Sequence, residues 1–180
     1  RGMRSYEQDF LVDFETVQQR GKEFDAGNGD FFTTEIECGR SSDIACILYT
    51  SGTTGDPKGV LYNHRAMVLH AFALIAPDAM NLSNRDCVLP VVPLFHVNSW
   101  GSPYGAMMVG AKIVYPGPKM ADGETLYNLM EDEGVSVSLG VPTVWLVLLQ
   151  YAAEHNKKLE SLQRTVIGGA AVPESMIREF

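Results

Sequence analysis

From Ile44 onward the chain alternates short apolar runs with stretches of helical period, and this alternation constrains the fold more than any other feature. Residues 44–49 (IACILY) form an unbroken apolar run of the kind expected for a strand buried on both faces. Residues 60–62, 87–92, 111–115 and 164–167 read as further strands, as do the alternating Val135, Val137 and Leu139. Between them, Asn63 is placed to cap a helix running from His64 to about Ala76, where Pro77 stops it. Asp122 opens a second helix that ends at Gly134, and Pro142 starts a third that runs through Ala153. Strands separated by helices of this length pair in parallel through crossover connections. The expected fold class is therefore α/β, a parallel-rich sheet with flanking helices.

The first forty residues carry a weaker pattern. Residues 5–12 suit a short helix, and residues 21–30, polar and glycine-bearing, read as a mobile loop. The expected organisation is a weakly patterned N-terminal segment, 1–43, and one domain over 44–180. The chain opens at Arg1 without Met and stops at Phe180, inside a helix that Pro173 and Glu174 favour, so it reads as a fragment truncated at its C-terminus.

Charge narrows the function classes. Lys and Arg number 14 against 22 Asp and Glu, a net charge of -8. An acidic chain without a basic run repels a phosphate backbone, which argues against nucleic acid as a partner. An anionic ligand must instead be held locally, by backbone N–H groups and a few placed cations. Residues 87–111 carry no Asp, Glu, Lys or Arg, but Pro90, Pro93, His96, Asn98 and Pro103 interrupt them, so no transmembrane segment is expected. That stretch reads as a buried strand followed by a pocket-lining loop. Cys38, Cys46 and Cys87 form no C-x-x-C pair and read as small apolar residues in or beside strands, which suits a cytoplasmic location.

The segment 49–59 (YTSGTTGDPKG) lies between the first two expected strands and packs four Ser/Thr hydroxyls, three glycines and one lysine into eleven residues. Glycines let the backbone approach a ligand closely, and successive N–H groups then form a concave anion site to which the hydroxyls of Thr50, Ser51, Thr53 and Thr54 add donors. Lys58 supplies charge. Such chemistry suits a polyphosphate, although a flexible Ser/Thr/Gly surface loop is the bland alternative. Pro57 and Gly59 flank the lysine where a Walker A loop has Gly and Ser or Thr, and Gly52 with Gly55 does not make G-x-G-x-x-G.

Two other stretches carry chemistry. In 93–101 (PLFHVNSWG), His96 follows a buried strand, and ligands of open α/β sheets gather beyond strand carboxyl ends. Trp100 lies among Asn98, Ser99, Gly101 and Ser102, small neighbours that leave room, whereas Trp145 on a helix reads as core. His64, His70 and His155 read as ordinary helix residues. In 165–171 (TVIGGAA) a strand ends in Gly168, Gly169 and Ala170, where missing side chains let a flat group lie against the backbone; a plain strand-to-helix turn would look the same.

The full string 49–59 resembles the phosphate-binding signature of the adenylate-forming superfamily, which includes acyl-CoA synthetases, luciferases and peptide-synthetase adenylation domains. Similarity to the acyl-CoA synthetase branch, medium- and long-chain fatty-acid–CoA ligases, runs from about Ile44 to Phe180. The resemblance implies a partial AMP-binding domain using ATP, Mg²⁺ and CoA on a fatty acid. It assigns Thr50 to Mg²⁺ and phosphate, and Ser51, Gly52, Thr53, Thr54, Gly55 and Lys58 to the β- and γ-phosphates. It puts His96 beside the acyl carboxylate, Trp100 at the entrance of an acyl tunnel, and Gly168, Gly169 and Ala170 against adenine and acyl group. Residues 140–144 (GVPTV) are similar to the family's helix beside the acyl pocket. The family's Tyr-Gly-x-Thr-Glu motif, its ribose-binding Asp and its mobile-domain Lys do not occur before Phe180, so the fragment itself is expected to be inactive. A homodimeric parent is implied. An aryl acid as substrate, a phosphotransferase and a non-catalytic phosphate-binding module remain the alternatives.

Overall fold

A computed structural model describes residues 11–50, 55–94, 99 and 101–180, with the backbone alone at Thr50. The chain divides into two compact units, Arg1–Asp43 and Ile44–Phe180.

In the first unit, α1 (Phe14–Gly27) and α2 (Phe31–Cys38) bury none of their residues. Asp13 caps α1, its carboxylate accepting from the Thr16 backbone N–H at 2.8 Å and the Thr16 hydroxyl at 2.7 Å. These bonds hold the Asp13 carboxyl below its ordinary pKa. The loop expected over 21–30 is therefore mostly helix. Gln18, Gln19, Arg20, Lys22 and Glu23, on either side of Gly21, are good helix formers, and one glycine costs only about 1 kcal/mol. Phe24 and Phe31 meet edge to face at 5.0 Å across the turn. Cys38, expected beside a strand, lies exposed at the end of α2.

The second unit begins with β1 (Ile44–Thr50) and β2 (Lys58–Asn63), which pair antiparallel with each other as a two-stranded sheet. The two strands do not follow the parallel pairing expected of strands joined by crossovers, because the segment between Thr50 and Lys58 is too short for one. Nor is β1 buried on both faces. Cys46 and Leu48 are half-buried, and Cys46 Sγ lies 3.9 Å from Met67 Sδ, whereas Ile47 and Tyr49 on the other face are exposed. An apolar run specifies a strand without specifying what covers each face. Tyr49 lies across from Gly59, its ring 3.5 Å from where a Cβ would stand.

Strand β2 passes directly into α3 (His64–Ile75), capped as expected by Asn63 Oδ1 accepting from Ala66 N at 2.8 Å. Next come β3 (Cys87–Pro90), α4 (Ser102–Val109), β4 (Lys112–Ile113), α5 (Gly123–Glu133), β5 (Val137–Gly140), α6 (Pro142–Glu154), β6 (Arg164–Ile167) and α7 (Glu174–Glu179). Four of these strands form a parallel sheet in the order β4-β3-β5-β6. Asp122 caps α5 through Thr125 N at 2.9 Å, and Gly134 ends it in the left-handed conformation at φ 66°.

Two apolar layers sandwich the sheet. Leu89 and Val91 pack with Leu126 and Met130 of α5 and Trp145 and Leu148 of α6 on one face. Val88, Val137 and Leu139 pack with Ala106 of α4 and Leu74 and Ile75 of α3 on the other. Trp145 is fully buried, and truncating such a side chain costs about 3–5 kcal/mol. Helix α4 falls within the stretch expected to be loop. Pro103, counted there as an interruption, sits in the first turn of the helix, where its missing N–H costs nothing.

At the amino ends of the parallel strands Asp86 is a hub. Its carboxylate accepts from Ser83 N and Ser136 Oγ, both at 2.8 Å, and pairs with the Arg164 guanidinium. Burial alone would push this carboxyl up. The hydrogen bonds from Ser136 and Ser83 and the Arg164 charge together outweigh it, and the pKa lies below 3.8. The hub ties β3, β5 and β6 in register at the end opposite the candidate site.

Candidate functional site

The connections of the parallel sheet diverge. From β3 the chain crosses by α4 to β4 on one side, while from β5 it crosses by α6 to β6 on the other. Neighbouring strands with opposite connections leave a crevice at their carboxyl ends, the place where open α/β sheets take ligands. The topology puts that position between Val91–Pro93 after β3 and Gly140–Val141 after β5.

Its walls are held by hydrogen bonds. Val91 N donates to Leu139 O at 2.7 Å, and Gly168 N to Gly140 O at 3.2 Å. Gly168 is therefore brought to the rim beside Gly140; it is half-buried, while Gly169 (φ 85°) and Ala170 are exposed. Ser99 is fully buried, and its hydroxyl contacts two carbonyls at the exit of β3, Pro93 O at 2.6 Å and Val92 O at 3.2 Å. Ser102 Oγ donates in turn to Ser99 O at 2.8 Å. Sequence reasoning passed over Ser99 and Ser102; a serine pair flanking Gly101 just before Pro103 was the signal that could have found them. His96 and Trp100 lie outside the described residues.

Gly140 closes the floor by lacking a side chain. A Cβ there would come within 2.8 Å of Trp145 Cζ2 and 2.9 Å of Cε2, so the indole occupies the space a larger residue would need. The GVPTV stretch thus pairs a bare strand end with the helix that fills the gap.

The glycine-rich segment forms the connection of the β1–β2 hairpin, on the other sheet. Thr50 and Lys58 are cross-strand partners at its base. Gly55 has φ 95°, a conformation that disfavours a side chain, and no described residue comes within 4 Å of where its Cβ would stand. Lys58 is exposed. Ser51, Gly52, Thr53 and Thr54 lie outside the described residues. The described part fits a polyanion: one cation at the base of an exposed turn with room for close backbone approach. It does not supply a metal cage, since among the described residues no three His, Cys, Asp or Glu gather to hold an ion. Among those residues, too, no helix is long and apolar enough to cross a membrane.

The chain matches the AMP-binding enzyme family over residues 3–180. It is 53% identical over 154 residues to the medium-chain-fatty-acid–CoA ligase of Ectopseudomonas oleovorans, a match covering 86% of this chain and 28% of that one. It is 59% identical over 134 residues to the 3-methylmercaptopropionyl-CoA ligase of Ruegeria lacuscaerulensis, covering 74% and 25%. Among solved structures, the inhibitor-bound N-terminal domain of FACL13 from Mycobacterium tuberculosis is similar with a TM-score of 0.69 at 29% identity, covering 79% of this chain and 35% of that one. The chain therefore spans roughly a quarter of the length of the curated relatives it matches.

Proposed function

The chain belongs to the AMP-binding enzyme family, and from that premise we propose that it forms the phosphate- and acid-binding part of an AMP-forming fatty-acid–CoA ligase. The observation that carries this reading is the described end of the β1–β2 connection, exposed over 55–58, with Gly55 at φ 95° and Lys58 across from Thr50. A turn of amides and hydroxyls with one ammonium matches a triphosphate, whose charge an otherwise acidic chain would repel.

In the proposed reaction a carboxylate attacks the α-phosphate of ATP, giving acyl-AMP and pyrophosphate, and the thiol of CoA then displaces AMP. Both first reactants are anions, so fixed donors that need no reorganisation contribute most to lowering the barrier. Ser51, Gly52, Thr53, Thr54, Gly55 and Lys58 hold the β- and γ-phosphates in this reading, with Thr50 contributing to phosphate and to Mg²⁺. The metal would arrive with the nucleotide and supply charge neutralisation. His96 borders the carboxylate, Trp100 the entrance for the chain, and Gly168, Gly169 and Ala170 the adenine and acyl group at the crevice rim. The parent enzyme is read as a cytoplasmic homodimer. The acid is a medium- or long-chain fatty acid; a short thioether acid is the second reading, favoured by the 59% identity to a 3-methylmercaptopropionyl-CoA ligase.

The isolated chain makes no acyl-AMP, because relatives build the activity on a chain about four times as long. ATP–pyrophosphate exchange on the isolated chain with octanoate tests this, and clear turnover refutes it. Thermal shifts of the full-length protein with Mg-ATP, octanoate, palmitate and 3-methylmercaptopropionate test the rest. Cooperative stabilisation by ATP and one acid is the expected result. Stabilisation by ATP alone would point to a phosphate-binding module.

A further inference from the structure

At the amino ends of β3, β5 and β6 the structure around Asp86 opens into a cavity of about 560 Å³. Two guanidinium groups, those of Arg85 and Arg164, and one carboxylate, that of Asp86, line it together with serines and the amides of Asn81 and Gln163. Two positive charges against one negative leave the lining at +1, inside a chain whose net charge is -8. The cavity lies at the end of the sheet opposite the position where open α/β folds take their ligands.

The hydrogen bonds decide which charge remains available. Asp86 accepts from Ser83 N, Ser83 Oγ, Ser136 Oγ and the Arg164 guanidinium. Four donors fill the acceptor sites of a carboxylate, so this one has no room for a cation. The Arg164 guanidinium carries five N–H donors, and three of them go to Met80 O, Asn81 O and Asp86. Those bonds fix its orientation and leave two donors without an acceptor among the described residues. Arg85 is exposed, and among the described residues it pairs with no carboxylate. Its backbone N–H donates to Ser83 Oγ at 3.3 Å, so a free side chain leaves a pinned stretch of backbone.

We propose that the cavity is an oxyanion site, in which a phosphate group sits between the guanidinium groups of Arg85 and Arg164 with the amides of Asn81 and Gln163 as further donors. Guanidinium groups match phosphate oxygens through paired N–H bonds, and one already held in place loses little freedom on binding. The positive lining and the filled carboxylate disfavour a cation, and the polar walls disfavour an apolar group. The assignment is independent of the ligase reading, because no residue of the glycine-rich segment lines the cavity.

Phenylglyoxal adds to guanidinium groups, and mass spectrometry of the labelled peptides reads its rate at each arginine of the full-length protein. Phosphate bound at the glycine-rich segment therefore stays out of the signal from Arg85. Titrated inorganic phosphate slows labelling of Arg85 saturably, by about fivefold at roughly four times the Kd that the curve gives. Labelling of Arg20, exposed on α1, is unchanged, and sodium chloride at equal ionic strength slows Arg85 by less than about twofold. Gln163→Glu brings a second carboxylate to the cavity while its backbone N–H still donates to Ser136 O, and it raises the Kd about fivefold or more. AMP in place of phosphate separates the two sources: protection by both assigns a phosphate group whatever carries it, and protection by phosphate alone assigns the free ion. No saturable protection of Arg85, equal protection of Arg20, an equal effect of chloride, or an unchanged Kd in Gln163→Glu would overturn the proposal.

Discussion

Replacing Asp86 with Asn probes what holds the parallel sheet at the end away from the crevice. The side chain is 7% exposed, and it accepts from Ser83 N, Ser83 Oγ, Ser136 Oγ and the Arg164 guanidinium. Asn keeps the shape, but its amide nitrogen presents donors where one oxygen accepted, and Arg164 loses its counter-charge. Breaking a buried ion pair costs about 3–5 kcal/mol. The Arg164 side chain is 32% exposed, and its guanidinium keeps bonds to Met80 O and Asn81 O, so water screens and partly compensates the loss. The expected destabilisation is about 2–3 kcal/mol, to be read from the urea midpoint at pH 7 with an unchanged slope. Arg164→Ala and the double variant close a cycle in which the pair should couple by about 1 kcal/mol or more.

The pH dependence follows from the same geometry. The folded carboxyl titrates below 3.8, so the unfolded chain binds the proton more tightly. Stability from Asp86 is therefore complete above the unfolded pKa and declines as pH falls from about 4 through the folded value. Asp86→Asn should lack this component of acid destabilisation. A loss under about 0.5 kcal/mol, additive single variants, or an unchanged acid limb would refute the hub.

Gly140→Ala should overpack the wall against Trp145 and cost about 1–3 kcal/mol by urea denaturation, and Trp145→Leu in the same chain should relieve part of that cost. The indole is held by packing alone, since its Nε1 has no hydrogen-bond partner among the described residues. Lys58→Ala should weaken Mg-ATP binding to the full-length protein by roughly 10- to 100-fold in a titration, while stability falls by under about 1 kcal/mol, since the interactions of an exposed ammonium are screened by water. Cys38 should react with iodoacetamide well before Cys87, whose burial raises its thiol pKa and blocks access; mass spectrometry of the labelled peptides reads the order.

Local chemistry fixed most elements before any contact was known. Asn63, Asp122 and Gly134 act on their own helices through neighbours within four residues, so the capped ends of α3 and α5 could be read directly from sequence. The apolar run over 87–92 marked β3, and the alternation of Val135, Val137 and Leu139 marked β5, for the same reason. The glycine-rich string stood out as well, readable as an anion site or as a flexible Ser/Thr/Gly loop.

Tertiary structure decided what depends on partners distant in sequence. Whether β1 is covered on one face or two, and that it pairs antiparallel with β2, follows from what packs against it. The switch point between β3 and β5 exists only because their crossovers diverge, and Gly168 comes beside Gly140 through one hydrogen bond. That a Cβ at Gly101 would strike the His70 ring follows only from how α3 and α4 pack. Helix caps and turns are set over a few residues of chain, whereas burial, strand order and contacts between helices are set by excluded volume between segments that the sequence leaves far apart.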